Sequence, residues 1–150
     1  MIAFDTNILI YAVASEDAPN RHAKSLDLVE STAPLGAIVP LQVVGEFLNV
    51  CRQKKLVSLE HAMRRVDEFL GGFDCPETRA NDLLDAFALA ERNMLQYFDA
   101  LIIVVAKRAG ATILLSEDMH DGLEIDGLKI VNPFAAANET LLADYFATVL

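Results

Sequence analysis

Ile2-Ala3-Phe4-Asp5-Thr6-Asn7-Ile8-Leu9-Ile10-Tyr11 is the stretch on which the fold turns. Its first three residues are apolar and short in run, as a buried strand requires. Asp5, Thr6 and Asn7 are good helix starters, and an apolar run to Val13 follows them at once,. The segment therefore predicts a strand, a sharp turn and a helix, with an acid at the carboxyl end of the strand.

The same alternation continues outward. Ala18-Pro19-Asn20 breaks the chain before a helix over about residues 21–31,. Residues 37–39 are apolar and read as a second strand, ended by Pro40, with a helix over about 41–53,. Ser58 opens a further helix to about Leu70, where Gly71-Gly72 stops it,. Residues 73–75 suit a short strand, and the pattern over about 77–92 is helical. Asp99 begins a helix that ends at Ala109-Gly110; residues 112–115 and 129–131 are strands, and the tail from Asn138 is a closing helix. Short, continuously apolar strands alternating with helices predict an α/β domain of three layers, α/β/α, around a short, mainly parallel sheet.

With 150 residues and a hydrophobic fraction of 53%, the chain suits one domain with one core,. Gly and Pro number only 7 and 5, so no stretch reads as a linker,. The apolar run 101–106 is closed by Lys107 and Arg108, too soon to span a bilayer,. The amino-terminal residues lack the basic region of a signal peptide, and Cys51 and Cys75 lack metal-ligand spacing and suit a reducing cytoplasm,. The net charge of −10 argues against a broad basic surface for nucleic acid,. Acids gathered in one place, however, repel one another unless cations sit among them.

In a parallel α/β fold, ligands bind beyond the carboxyl ends of the strands. Asp5 lies at one such end, and Asp118 follows the strand 112–115 and Ser116 at another. Asp99 has apolar neighbours on both sides, and reads either as an N-cap or first-turn acid favoured by the helix dipole or as a ligand,. Glu46 sits at the boundary of a helical stripe, either solvated or facing a groove. Hard divalent cations take such oxygen ligands, and magnesium keeps several waters while held by a few carboxylates. A cation so held lowers the pKa of water and offsets charge developing on a phosphate. Around the last acid, Asp121-Gly122 reads first as a turn and His120 as a surface histidine; Glu117 and Asp121 are also placed to support the site,.

Taken in order, these residues resemble a PIN domain, and within that family the VapC-type toxins of toxin–antitoxin pairs. The resemblance lies in 2–11 with its Asp-Thr-Asn turn, Val44-Gly45-Glu46-Phe47, Phe98-Asp99-Ala100-Leu101-Ile102, the segment 109–118, and 127–134. It covers nearly the whole chain as a single PIN-like domain, 1–150; residues 54–93 match only as helices of suitable length. The resemblance implies an acidic quartet of Asp5, Glu46, Asp99 and Asp118 that binds Mg2+ or Mn2+, with Thr6, Asn7 and Ser116 as polar residues near it. It also implies a metal-dependent endoribonuclease, an RNA substrate, an inhibitory antitoxin protein and a homodimer.

Phosphate contacts could come from Arg52, Lys54, Lys55, Arg64, Arg65, Lys107 or Arg108, all of which also suit plain surface solubility. Two other readings compete. A phosphatase of the haloacid dehalogenase type also puts an Asp at the end of its first strand, but wants a second Asp where Asn7 stands. A non-catalytic PIN-like scaffold binding RNA or a partner would not need four converging acids.

Overall fold

Residues Ile2–Phe4 form β1, which pairs in parallel with β2, Ile113–Leu115; Ile2 lies opposite Ile113 and Phe4 opposite Leu115. The computed structural model describes residues 1–15 and 18–149. No side chain of β1 or β2 is more than 9% exposed, so both faces of the sheet are covered,. On its other edge β2 pairs in parallel with the strand Leu128–Val131, which in turn pairs antiparallel with the two-residue strand Glu124–Ile125. Numbering these β4 and β3, the order is β1-β2-β4-β3.

Among the described residues seven α-helices surround this sheet: α1 Thr6–Val13, α2 Pro19–Thr32, α3 Leu41–Lys54, α4 Leu59–Gly72, α5 Ala80–Asn93, α6 Tyr97–Arg108 and α7 Glu139–Val149. α1 packs against α2 and α3, and α5 against α6. None is long and apolar enough to cross a membrane. The mixed, mainly parallel α/β architecture is the one the sequence predicts.

Several local expectations are corrected. Residues 37–39 and 73–75 do not extend into strands. Only one residue of each bridges: Ile38 lies in parallel between Ala3 and Asp74. Pro40 offers no N–H and already caps α3, so the ladder cannot grow,. α4 runs through Gly71-Gly72 and ends at Phe73, whose ring packs edge-on against Phe69 and Phe4. The hairpin that carries β3 escapes the pattern because its strand is so short. Its turn is nevertheless the Asp-Gly pair expected of a tight hairpin, with Asp126 at φ 47° and Gly127 at φ 88°,.

α5 starts at Ala80 and not near Glu77, because the Asp82 carboxylate accepts the Arg79 backbone N–H at 2.7 Å,. Asp82 is buried, and Arg108 at the end of α6 donates to both its oxygens at 2.9 and 2.8 Å. Burial opposes its ionisation, but the bonds from Arg108 and Arg79 outweigh that and hold its pKa below the usual carboxylate range,. Its stabilising contribution is therefore present above the ordinary aspartate pKa and is lost as pH falls through the lowered one. Arg108→Met should cost about 3 kcal/mol in urea unfolding at pH 7. The difference from the unaltered protein should shrink in acid. An equal loss at every pH would mean that Arg108 acts through packing alone.

Candidate active site

The register of β1 with β2 brings the two strand ends together: the Asp5 N–H donates to the Leu115 carbonyl at 3.0 Å, and the Ser116 N–H to that of Val131 at 3.1 Å. Asp5 caps α1 and is only 6% exposed. Its Oδ1 accepts the Thr6 N–H at 2.6 Å. Its Oδ2 accepts from Ser116 Oγ at 2.7 Å and Asn7 Nδ2 at 2.9 Å. Among the described residues it has no cationic partner. Desolvation dominates, the bonds from Ser116 and Thr6 counter it in part, and Asp99 and Glu46 add repulsion; the pKa is pushed up to about 6,.

Glu46 comes from the middle of α3, and both its oxygens are engaged. Thr6 Oγ1 donates to Oε2 at 2.7 Å, and Gln42, one turn earlier on the helix, donates to Oε1 at 2.7 Å. Gln42 Nε2 also reaches the Phe98 carbonyl at 3.2 Å, which ties α3 to the start of α6. α6 begins at Tyr97, two residues earlier than expected, so Asp99 stands within the first turn and is not the cap. It is half-buried. Burial, then Glu46, then Asp118 raise its pKa, even though the helix dipole favours its charge,.

Asp118 lies in the irregular turn after β2 and is exposed. Its link to the other acids is Asn7, whose Nδ2 contacts Asp5, Ser116 at 3.5 Å and Asp118 at 3.2 Å. Asn7 Oδ1 accepts the Glu117 N–H at 3.2 Å. Asp5, Glu46, Asp99 and Asp118 thus line one cleft of about 520 Å³, together with Thr6, Asn7 and Lys54. Ser116 lies beneath it, fully buried against Asp5.

Asp121 does not join them. Its carboxylate accepts the Asn132 N–H at 2.7 Å and bonds Asn138 Nδ2, so it staples the chain after β4 and offers no support to the acids. His120 is exposed. Of the basic residues weighed for phosphate contact, Lys54 lines the cleft. Lys107 and Arg108 are drawn instead into pairs with Asp126 and Asp82, and Arg65 into one with Glu68. Sequence reasoning missed Gln42 as the partner of Glu46, although four residues apart on a helix is a readable signal. It also missed Arg21 and Tyr11, which bind Glu117; nothing in the local pattern announces that contact.

The donor set is all oxygen, which suits a hard divalent cation. Among the described residues no three carboxylate, imidazole or thiol groups stand close enough to cage a bare ion.

The PIN domain family model matches residues 2–120, and the chain belongs to that family. No curated protein sequence matches it. Among solved structures, it is similar to a toxin–antitoxin complex from Klebsiella pneumoniae, at 22% identity and a TM-score of 0.65, over 89% of this chain and 98% of that one. VapC20 from Mycobacterium tuberculosis, described as a toxin that cleaves the sarcin–ricin loop, matches at 18% identity and a TM-score of 0.63, over 76% and 87%. VapBC2 from Rickettsia felis, bound to a fragment of promoter DNA, matches at 20% and 0.63, over 88% and 98%. At these identities the likeness is one of fold.

Because the folded Asp5 pKa is raised, the folded state holds that proton more tightly than the unfolded chain. Its contribution to stability is best below pH 3.8 and declines as pH rises to about 6,. Asp5→Asn, measured in chelator at pH 8, should therefore raise stability by about 1–2 kcal/mol, after discounting for rearranged hydrogen bonds. At pH 4 the gain should vanish. Lower stability at pH 8 would mean that the ionised carboxylate carries no net cost.

Proposed function

We propose that this protein is a metal-dependent endoribonuclease that hydrolyses RNA phosphodiesters, and that it is the toxin of a type II toxin–antitoxin pair. One observation carries the reading: four carboxylates from four separate segments face one cleft, and the most buried of them has no cationic partner among the described residues. Such a cluster is costly unless cations offset it. Family membership points the same way, since PIN domains generally are ribonucleases that use divalent metals.

Asp5, Asp99 and Asp118 would hold Mg2+ or Mn2+, directly or through water. The ion, when bound, supplies the positive charge that a phosphodiester meets on hydrolysis and acidifies water for the attack. Glu46, held at both oxygens by Thr6 and Gln42, is fixed for orienting the attacking water. Asn7 keeps Asp5 and Asp118 at a set separation. Lys54, on the wall of the same cleft, is placed to contact the substrate backbone,.

The similar structures from Klebsiella and Rickettsia contain toxin–antitoxin assemblies, which supports an antitoxin partner here. A homodimer in the cytoplasm is the state the family resemblance implies.

Purified, partner-free protein should cut total cellular RNA into discrete fragments when manganese or magnesium is present. Chelator or Asp99→Asn should abolish the cutting. Folded, metal-loaded protein that leaves every RNA intact would favour the scaffold reading over the enzyme.

A further inference from the structure

Asp118 is the most exposed of the four acids. It sits in a turn outside the sheet ladder, it is exposed, and its one side-chain bond among the described residues is to Asn7. Asp99 stands on the wall of the same cleft. Left to itself, the Asp118 side chain would swing toward water.

The neighbouring residue is held quite differently. Both oxygens of Glu117 are taken: Tyr11 Oη donates to Oε2 at 2.5 Å, and Arg21 reaches Oε1 through Nε at 2.7 Å and Nη2 at 2.5 Å. The Arg21 guanidinium lies 5.8 Å from the Tyr11 ring centre and 5.4 Å from that of Phe134. Those two rings meet edge to face at 5.5 Å. Most exposed ion pairs contribute little. This one differs on the acid's side: Arg21 is 44% exposed, but Glu117 is only 16% exposed, its carboxylate is held from two sides and the guanidinium lies beside two aromatic rings,. The cluster joins α1, α2, the turn after β2 and the segment after β4, and its acid is one peptide unit from Asp118.

We infer that Arg21 and Tyr11 are positioning residues: by clamping Glu117 they hold the turn that presents Asp118 to the cleft. This rests on the nuclease reading, in which Asp118 is a metal ligand. Tyr11 forms part of the cleft wall, while Arg21 grips Glu117 from outside that lining. The clamp narrows the arc through which the Asp118 carboxylate can move, and so raises the affinity of the cleft for a divalent cation.

The test is manganese binding to the RNA-free protein, followed by the electron paramagnetic resonance signal of free Mn2+. Arg21→Gln should weaken binding by about tenfold, the scale on which supporting groups act at metal sites. Tyr11→Phe keeps the ring and removes one bond, and should act in the same direction but less. In an Asp118→Asn background, Arg21→Gln should have no further effect, because the residue it works through is already gone. Circular dichroism in chelator identifies any variant that fails to fold, and Tyr11→Phe tests the clamp without touching the exposed cation. Unchanged manganese affinity in both single variants overturns the clamp and leaves the nuclease reading standing. So does an undiminished tenfold loss in the Asp118→Asn background. If the unaltered protein binds no manganese, the nuclease reading falls and the clamp falls with it.

Discussion

A carboxylate shut away from water without a cation is the constraint around which this molecule is arranged. Asp5 is placed by the β1–β2 ladder, caps the first helix and accepts bonds from Thr6, Asn7 and Ser116. Hydrogen bonds soften the cost of its burial but do not remove it, as its raised pKa records,. A purely structural cap would have no reason to carry that cost, since a serine or asparagine at the same point would cap the helix with no charge to bury. The unfavourable term becomes intelligible once Glu46, Asp99 and Asp118 are seen on the walls of the same cleft. Burial and the neighbouring carboxylates raise the pKa of both Asp5 and Asp99, a cost that a cation bound in the cleft would offset,.

How these acids meet depends on two kinds of structure. Asp5 and Ser116 are adjacent because parallel strands in register must end side by side. Glu46 and Asp99 come from helices, and their approach is regulated by Gln42, which bridges the Glu46 carboxylate and the Phe98 carbonyl. The contrast with Asp82 is instructive. That acid is also buried, yet Arg108 and a backbone N–H satisfy it, and its pKa falls. The two aspartates shift in opposite directions: desolvation dominates at Asp5, while at Asp82 the bonds from Arg108 and the Arg79 N–H outweigh it.

What could be read in advance follows from the range of the interaction concerned. The strand, turn and helix from Ile2 to Val13 were legible because their signals lie within a few residues of one another. Asp5 and Asp118 could be placed at strand ends by the rule for parallel sheets, while Glu46 and Asp99, each also compatible with an ordinary helix position, needed the family resemblance. Residues 37–39 and 73–75 look like strands by composition, but Pro40 limits the first and only one residue of each bridges. Asp121 was open as a supporting residue because its position near Asp118 in sequence says nothing of its true partners, Asn132 and Asn138. The contact between Arg21 and Glu117 was beyond local reading altogether. It joins an exposed helix to a turn 96 residues later, and no periodicity encodes such a pairing.

The net charge of −10 first argued against a nucleic-acid ligand. Under the nuclease reading, where the charges lie matters more than their total. Several cations are spent inside the fold: Arg108 on Asp82, Lys107 on Asp126, Arg21 on Glu117. Among the described residues the acids of the cleft have no such partners, and Lys54 is a cation placed along their wall. A cation bound among them would locally reverse the sign of the potential that a phosphodiester meets. Charge in this protein is thus sorted by location. Where ion pairs form, they fix the scaffold. Where they are withheld, a bound cation would relieve the repulsion and so couple the stability of the cleft to its occupancy.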